Sequence, residues 1–442
     1  MKKILVLGAG LSSPWLIRYL LEKDKWQVTV ADTNLVLAQS RVKGFKKGRA
    51  IEIDINNKEQ RQSEIYRADV VVSLLPASLH IKVAQDCVDY SKHLVTASYI
   101  SPEMEKLDAK ARKNGVLLLN ECGLDPGLDH ISAMQMLDKL RASGAEITGF
   151  RSYCGGLIAS EHDDNPWHYK FTWNPKNVIL AGQATAKFKQ KGQVRHVPPQ
   201  RIFTEIEQLK LGKNERFDTY LNRDSLAYVK PYGLEKAETV LRGTLRGSGF
   251  CDAWHILVLL GYTDDSYTID TTQIRTLKEL TDSFLSQHNK SIQDFVWNFT
   301  NHPDDKEEEL FKMLKWLELE KEIPLPSNLE YPSPANVLLW HLQNKWKLGE
   351  KDVDRIVMHH SIDYSLGRKS RHLKSTLVVK GESKGFTAMA KTVGLPLGIA
   401  TRLILEGKIK DRGVQLPISK TLYEPMMAEL AEHGIRFEEE SK

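Results

Sequence analysis

Cysteine is scarce in this chain, with four in 442 residues: Cys87, Cys122, Cys154 and Cys251. Their spacing fits neither a zinc-ligand pattern nor a compact disulfide framework. A reducing compartment, the cytoplasm, is therefore expected. An excess of one charge is also missing. The 62 Lys and Arg against 57 Asp and Glu leave a net charge of +5, spread thinly, which argues against a nucleic-acid partner. No apolar run approaches the ~20 residues that span a bilayer, so no membrane partner is expected. The opening Met1-Lys2-Lys3-Ile4-Leu5-Val6-Leu7 loosely mimics a signal peptide. Gly8 and Gly10 cut its apolar run short, and no small-residue cleavage site follows; a buried strand is the better reading. Internal repeats and low-complexity tracts are absent.

What is present is an alternation. Short apolar runs at 4–7, 27–31, 70–75, 93–97 and 116–119 are separated by helical patterns such as 78–90 and 102–113. Apolar strands alternating with helices predict a parallel, doubly wound sheet of Rossmann type over residues 1–126. From there the texture shifts to strand-like runs, Ile147–Cys154 and Glu238–Leu245, among Pro-, Asn- and Gly-rich loops. This predicts an α+β substrate domain over 127–265, continued at 351–385. Amphipathic stretches at 274–284, 308–320 and 335–347 predict a helical insertion over 266–350. Residues 386–442, with a helix near 387–407, are expected to pack back on the first domain. Lys43–Arg49 reads as a solvated basic surface.

The segment Gly8-Ala9-Gly10-Leu11-Ser12-Ser13 follows a strand and opens a helix. It is a dinucleotide fingerprint with Ser13 in the third glycine's place. Gly8 permits the tight turn and Gly10 lets the backbone approach a pyrophosphate, which the helix N-terminus would stabilise. Asp32 closes the second strand about 20 residues later, where a carboxylate can accept ribose hydroxyls. That carboxylate leans the reading toward NAD. Arg41, Lys43 and Lys46 leave NADP open.

The most informative stretch joins Ser98-Tyr99-Ile-Ser-Pro102 to Gly123-Leu-Asp125-Pro126-Gly127-Leu-Asp129-His130. With Ser152-Tyr-Cys154-Gly-Gly, Asn222-Arg223-Asp-Ser225 and Glu238–Arg246, it resembles the glutamate-forming saccharopine dehydrogenases (saccharopine reductases). The resemblance covers about 1–262, weakens through the helical insertion and returns at 392–396, 411–414 and 434–437. The phosphate loop departs from the pattern by being one residue shorter. The basic stretch Arg368–His372 is also unlike it.

The resemblance implies oxidation of the secondary amine of saccharopine with NAD or NADP. The imine is then hydrolysed to L-glutamate and 2-aminoadipate 6-semialdehyde. It implies substrate contacts at Ser98, Tyr99, Asp125, Arg223, Thr244 and Arg246, with the two guanidiniums as carboxylate clamps. Asp125, Tyr99 and Cys154 are the candidate catalytic groups, none an unambiguous general base. Asp125 is expected in a cleft where the first domain passes into the second. Cofactor contacts are expected at Gly8, Gly10, Leu11, Ser12, Ser13, Asp32, Thr33, Asp54, Leu75, Pro76, Leu124, Pro126 and Gly127. A homodimer is the family-level expectation. Two alternatives stand: a related C–N oxidoreductase such as carboxynorspermidine dehydrogenase, and a non-catalytic NAD(P)-sensing protein. No metal is expected. His162 with Asp163 and Asp164 reads as a solvated turn, and adjacent His359 and His360 on a strand would face opposite ways.

Overall fold

A computed structural model describes residues 1–212, 215–286, 289–300, 305–383 and 385–441. The chain divides into two compact units, residues 1–148, 230–236 and 353–442, and residues 149–229 and 237–352.

The first unit opens with β1 (Lys3–Leu7), α1 (Pro14–Glu22), β2 (Gln27–Asp32), α2 (Leu35–Val42), β3 (Gly48–Glu52), α3 (Lys58–Arg67), β4 (Val70–Ser73) and α4 (His80–Asp89). It continues with β5 (His93–Thr96), α5 (Pro102–Glu105), α6 (Asp108–Lys113), β6 (Leu117–Leu119) and α7 (Leu128–Ala142). The chain next forms β7 (Glu146–Ile158), α8 (Pro175–Ile179), β8 (Ala186–Gln190), β9 (Gln193–Val197), β10 (Glu207–Leu211), β11 (Glu215–Leu221) and β12 (Thr239–Gly247). The helices α9 (Phe250–Leu260), α10 (Leu277–Phe284), α11 (Ile292–Thr300), α12 (Asp305–Trp316) and α13 (Pro334–Lys345) follow. Last come β13 (Asp354–Leu366), β14 (Lys369–Lys380), α14 (Ala388–Leu405), β15 (Gly413–Gln415), α15 (Lys420–Glu432) and β16 (Glu438–Ser441).

The first unit's main sheet has the order β15-β6-β5-β4-β1-β2-β3, every pair parallel. Its central strands are buried on both faces, which is why Ile4–Leu7 and Val70–Val72 read as unbroken apolar runs. β15, contributed by the C-terminal segment, extends the sheet beside β6. β13 and β14 form a long antiparallel hairpin, with β16 alongside β14. The helix α14 is long and apolar enough, by composition alone, to cross a membrane, but 78% of it is buried within the fold. It packs on α1, β4 and β5.

One expectation differs from this architecture. α7 and the hairpin at 354–380, read as parts of the substrate domain, belong to the first unit. The reason lies in α7, which leaves β6 through a tight turn and packs a buried face against α15. Lys43, Lys46 and Arg49 are exposed and Lys47 half-buried, in the loop before β3 and at its start. The basic stretch Arg368–His372 is the hairpin tip and the start of β14.

In the second unit, strands run in the order β10-β11-β12-β7, with β12 and β7 parallel and β8 joining β12 and β9 at the side. Its core is aromatic. Trp167 meets Phe250, Trp254 and Trp346 edge-on at 5.5, 6.2 and 5.5 Å, and donates its indole N–H to Met313 O at 2.8 Å. Such rings bury large areas while their edges meet neighbouring faces. The helices α10 to α13 occupy the region expected to be a helical insertion.

Candidate functional site

The C-terminal edge of the parallel sheet gathers the expected nucleotide contacts loop by loop. Gly8, Gly10, Leu11, Ser12 and Ser13 follow β1, Asp32 and Thr33 close β2, and Asp54 follows β3. Leu75 and Pro76 follow β4, and Leu124, Pro126 and Gly127 follow β6. The sheet order reverses between β1 and β4, the switch point at which open parallel sheets bind ligands. Gly8 holds φ at +103°, and a Cβ there would press on Leu74 O at 3.2 Å. Gly10 has open space around it. Ser13 is buried and donates its hydroxyl to Gly10 O at 2.8 Å, so it tightens the turn where a third glycine would sit. α1 starts at Pro14 with no side-chain cap. Proline costs nothing there, because its missing N–H would have been an orphan donor. An uncapped helix start beside an open glycine fits a pyrophosphate.

Asp32 is engaged differently from a simple ribose acceptor. Its Oδ2 accepts from Ala9 N at 2.7 Å and its Oδ1 from Asn34 N at 2.9 Å, so the carboxylate braces the phosphate turn. Arg41 donates from Nε to Ala9 O at 3.0 Å and stands over the same turn. Burial lowers the Arg41 pKa, against the pull of Asp32.

Ser98 and Tyr99 lie just past β5, half-buried. Asp125 is also half-buried and heads a turn joined through a cis peptide to Pro126. Gly127 closes that turn at φ +145°, where a Cβ would strike Gly123 N at 2.1 Å, so only glycine fits. Asp129 locks it by accepting from Gly127 N at 2.6 Å. A buried network lies beneath. Glu121 accepts from Ile100 N at 3.1 Å and meets His130 Nε2 at 2.9 Å, while His130 Nδ1 bonds the Tyr232 hydroxyl. Neither Glu121 nor Tyr232 figures among the expected site residues. The motif Gly123–His130 offered His130 as a signal; Tyr232 comes from a distant segment and offered none.

In the second unit, strand register collects polar side chains on one face. Ser152 stands opposite Arg242, Cys154 opposite Thr244, Tyr220 opposite Thr244 and Asp218 opposite Arg246. Residues in register, and those two apart along a strand, point to the same side. Thr244, Arg246 and Cys154 therefore share one surface with Arg242, which the expected site omitted. Arg223 is exposed, at φ +49°, in the turn after β11. That turn is stitched to β12 by Asn222 N donating to Arg242 O at 3.0 Å and Arg242 N donating to Ser225 Oγ at 2.9 Å.

Arg246 is 3% exposed. Its guanidinium lies 5.0 Å from the Tyr169 ring centroid, 5.4 Å from Phe250 and 5.6 Å from Tyr220. Nη1 donates to Leu245 O at 3.0 Å and Nη2 to the Tyr220 hydroxyl at 3.3 Å, while Nε has no partner among the described residues. Among the described residues no carboxylate lies within ion-pair range of it. A buried cation without a counter-anion is costly, and an anionic ligand would relieve it.

His359 and His360, adjacent on β13, take separate partners, Thr376 Oγ1 at 2.8 Å and Ser132 Oγ at 2.8 Å. Among the described residues no group of three or more His, Cys, Asp and Glu is placed to hold a metal ion.

A Rossmann sheet with a phosphate-binding turn at its switch point, in a chain that also buries guanidiniums on a mixed sheet, defines an NAD(P)-dependent oxidoreductase. The family model for the saccharopine dehydrogenase NADP binding domain matches residues 4–119, and that for the saccharopine dehydrogenase C-terminal domain matches residues 123–435. The chain belongs to the saccharopine dehydrogenase family. It is 32% identical over 448 residues to the saccharopine dehydrogenase [NADP(+), L-glutamate-forming] of Schizosaccharomyces pombe, covering 100% of this chain and 99% of that one. It is 34% identical to the mitochondrial alpha-aminoadipic semialdehyde synthase of Rattus norvegicus, of which it spans 48%. The apo saccharopine dehydrogenase (L-Glu forming) of Saccharomyces cerevisiae matches with a TM-score of 0.89 and 31% identity, each chain covered in full. The lean toward NAD drawn from Asp32 finds no support here: the matching N-terminal domain is that of NADP binding, and the Schizosaccharomyces pombe relative is named for NADP(+).

Proposed function

We propose that this protein oxidises saccharopine with NADP+, releasing L-glutamate and 2-aminoadipate 6-semialdehyde, reversibly, as a step of lysine metabolism. The observation that carries the reading is the buried Arg246, which has no counter-anion among the described residues, on a face shared with Thr244 and Cys154. A substrate with three carboxylates supplies such anions.

The phosphate turn at Gly8–Ser13 would hold the pyrophosphate of the nucleotide, and the loops after β2, β3, β4 and β6 would hold the rest of it. NADP is favoured because Arg41 stands over the phosphate turn beside the Asp32 carboxylate, able to pair a 2′-phosphate. The nicotinamide would supply the acceptor for the hydride that leaves the carbon that becomes the aldehyde. Nitrogen leaves on glutamate after water adds to the imine. Arg246 and Arg223 hold substrate carboxylates, with Thr244 adding a hydrogen bond. Ser98 and Tyr99 contact the substrate near the reacting nitrogen, and Asp125 takes up its proton or orients the water. Cys154 lines the pocket as a polar thiol.

The test is absorbance of reduced nicotinamide. Saccharopine with NADP+ should give steady reduction, faster at limiting nucleotide than with NAD+. The reverse reaction, from glutamate and the semialdehyde, should consume NADPH. A protein that binds NADPH yet stays silent with saccharopine in both directions would sink the reading.

A further inference from the structure

His80, in the first turn of α4, is 4% exposed and carries no role in the reading above. Its Nδ1 lies 2.9 Å from Ser73 Oγ, and its Nε2 lies 2.7 Å from Ser98 Oγ and 3.3 Å from Thr96 Oγ1. Ser73 and Thr96 are register partners at the ends of β4 and β5, so the ring spans two neighbouring strand ends and reaches the loop beyond the second. That loop is fixed from its other side as well. Glu121 N donates to Ser98 O at 3.0 Å, and the Glu121 carboxylate accepts from Ile100 N at 3.1 Å.

Burial pushes the His80 pKa down to about 4, so the ring is neutral near pH 7. A neutral imidazole has one donor nitrogen and one acceptor nitrogen. The two serines therefore cannot be served independently. If Nδ1 donates to Ser73, Nε2 accepts the Ser98 hydroxyl hydrogen, and Ser98 presents lone pairs outward. If Ser73 donates to Nδ1, Nε2–H donates to Ser98, and the Ser98 hydrogen is free to point outward. The ring thus holds the rotamer of a half-buried hydroxyl and couples its polarity to the imidazole tautomer.

We propose that His80 is a positioning residue: anchored on Ser73, it orients the Ser98 hydroxyl toward substrate. This rests on the reading of Ser98 as a substrate contact. Second-sphere groups of this kind hold contacting side chains in productive geometry.

The experiment compares His80→Asn, His80→Gln, Ser98→Ala and the His80→Asn/Ser98→Ala double variant by KM and kcat for saccharopine and NADP+. The asparagine amide stands near the Nδ1 position and keeps Ser73 but not Ser98. The glutamine amide reaches the Nε2 position. His80→Asn should raise KM for saccharopine about tenfold, as for one lost hydrogen bond to a charged ligand, and leave KM for NADP+ within about twofold. His80→Gln, which reaches Ser98 without the Ser73 anchor, should recover part of that loss. In the double variant the effect of His80→Asn should vanish, because its route through Ser98 is gone. A fully additive double variant, or equal losses in the asparagine and glutamine proteins, would overturn the inference and leave His80 a packing residue. An unchanged KM in Ser98→Ala would overturn the reading of Ser98 and this inference with it. A raised KM in Ser98→Ala beside an unchanged His80→Asn would overturn only the inference. If neither histidine variant folds, Ser73→Ala must raise KM for saccharopine at least about twofold; an unchanged value would refute the anchoring role.

Discussion

At the scale of single residues, Arg246 combines two properties that a structural arginine would not. It is buried, and its Nε and ring-facing surface are left to aromatic faces rather than to a carboxylate. Replacing a buried, uncompensated charge with an apolar side chain of similar length is often neutral or stabilising. Arg246→Met should therefore leave the thermal midpoint unchanged or raise it, while KM for saccharopine climbs at least about thirtyfold, the low end of losing a buried charged pair. A lower midpoint with unchanged KM would show that the guanidinium serves the fold alone. The same scale shows what could be read from residue type. Arg246 and Arg223 stood out through their motif, whereas His80 did not, because one histidine on an amphipathic helix carries no pattern. Asp32 was read correctly as the strand's closing acid, yet its direction was invisible: only the folded turn shows its oxygens taken by Ala9 and Asn34.

At the scale of elements, α1 and α14 meet closely because glycine removes the obstacle. A Cβ on Gly394 would lie 2.7 Å from Leu16 N, and one on Gly398 would lie 2.6 Å from the Tyr19 ring. The first neighbour is backbone and cannot swing aside. Gly394→Ala should therefore cost about 1–3 kcal/mol, the range for overpacking, even though alanine is the better helix former. Chemical denaturation would measure it, and a more stable variant would show that the contact relaxes freely. Elements with both faces covered were legible as apolar runs. β3 was not, since this edge strand is half-exposed along its length and has no apolar run to show. β15 is three residues long, too short for any period, and only its pairing with β6 identifies it. α14 was legible as a helix near 387–407. The buried Asp354 carboxylate that accepts from Ala388 N and Met389 N at its start, at 2.6 and 2.9 Å, was not.

At the scale of the whole molecule, the chain order of residues is a poor guide to which unit they serve. The first unit is assembled from three separate stretches, and its 230–236 segment comes from the middle of the second unit's sequence. Tyr232 is bonded to His130 within that first unit, and Arg141 donates to Tyr232 O. Composition changes near residue 126 suggested a border there, but α7 buries its side chains with α15 and stays with the first unit. This assembly has a measurable consequence for ligand removal. The expected nucleotide contacts all lie on the first unit, whereas Arg246 lies on the second. A ligand that binds only the folded state stabilises it by about 2.7 kcal/mol at one hundred times its Kd. NADP+ at that level should raise the thermal midpoint of the wild-type protein and, by a similar shift, that of Arg246→Met. Saccharopine alone should protect the wild type and not the variant. If Arg246→Met abolished protection by NADP+ as well, nucleotide binding would depend on the guanidinium, and the assignment of nucleotide and carboxylates to separate sets of residues would fail.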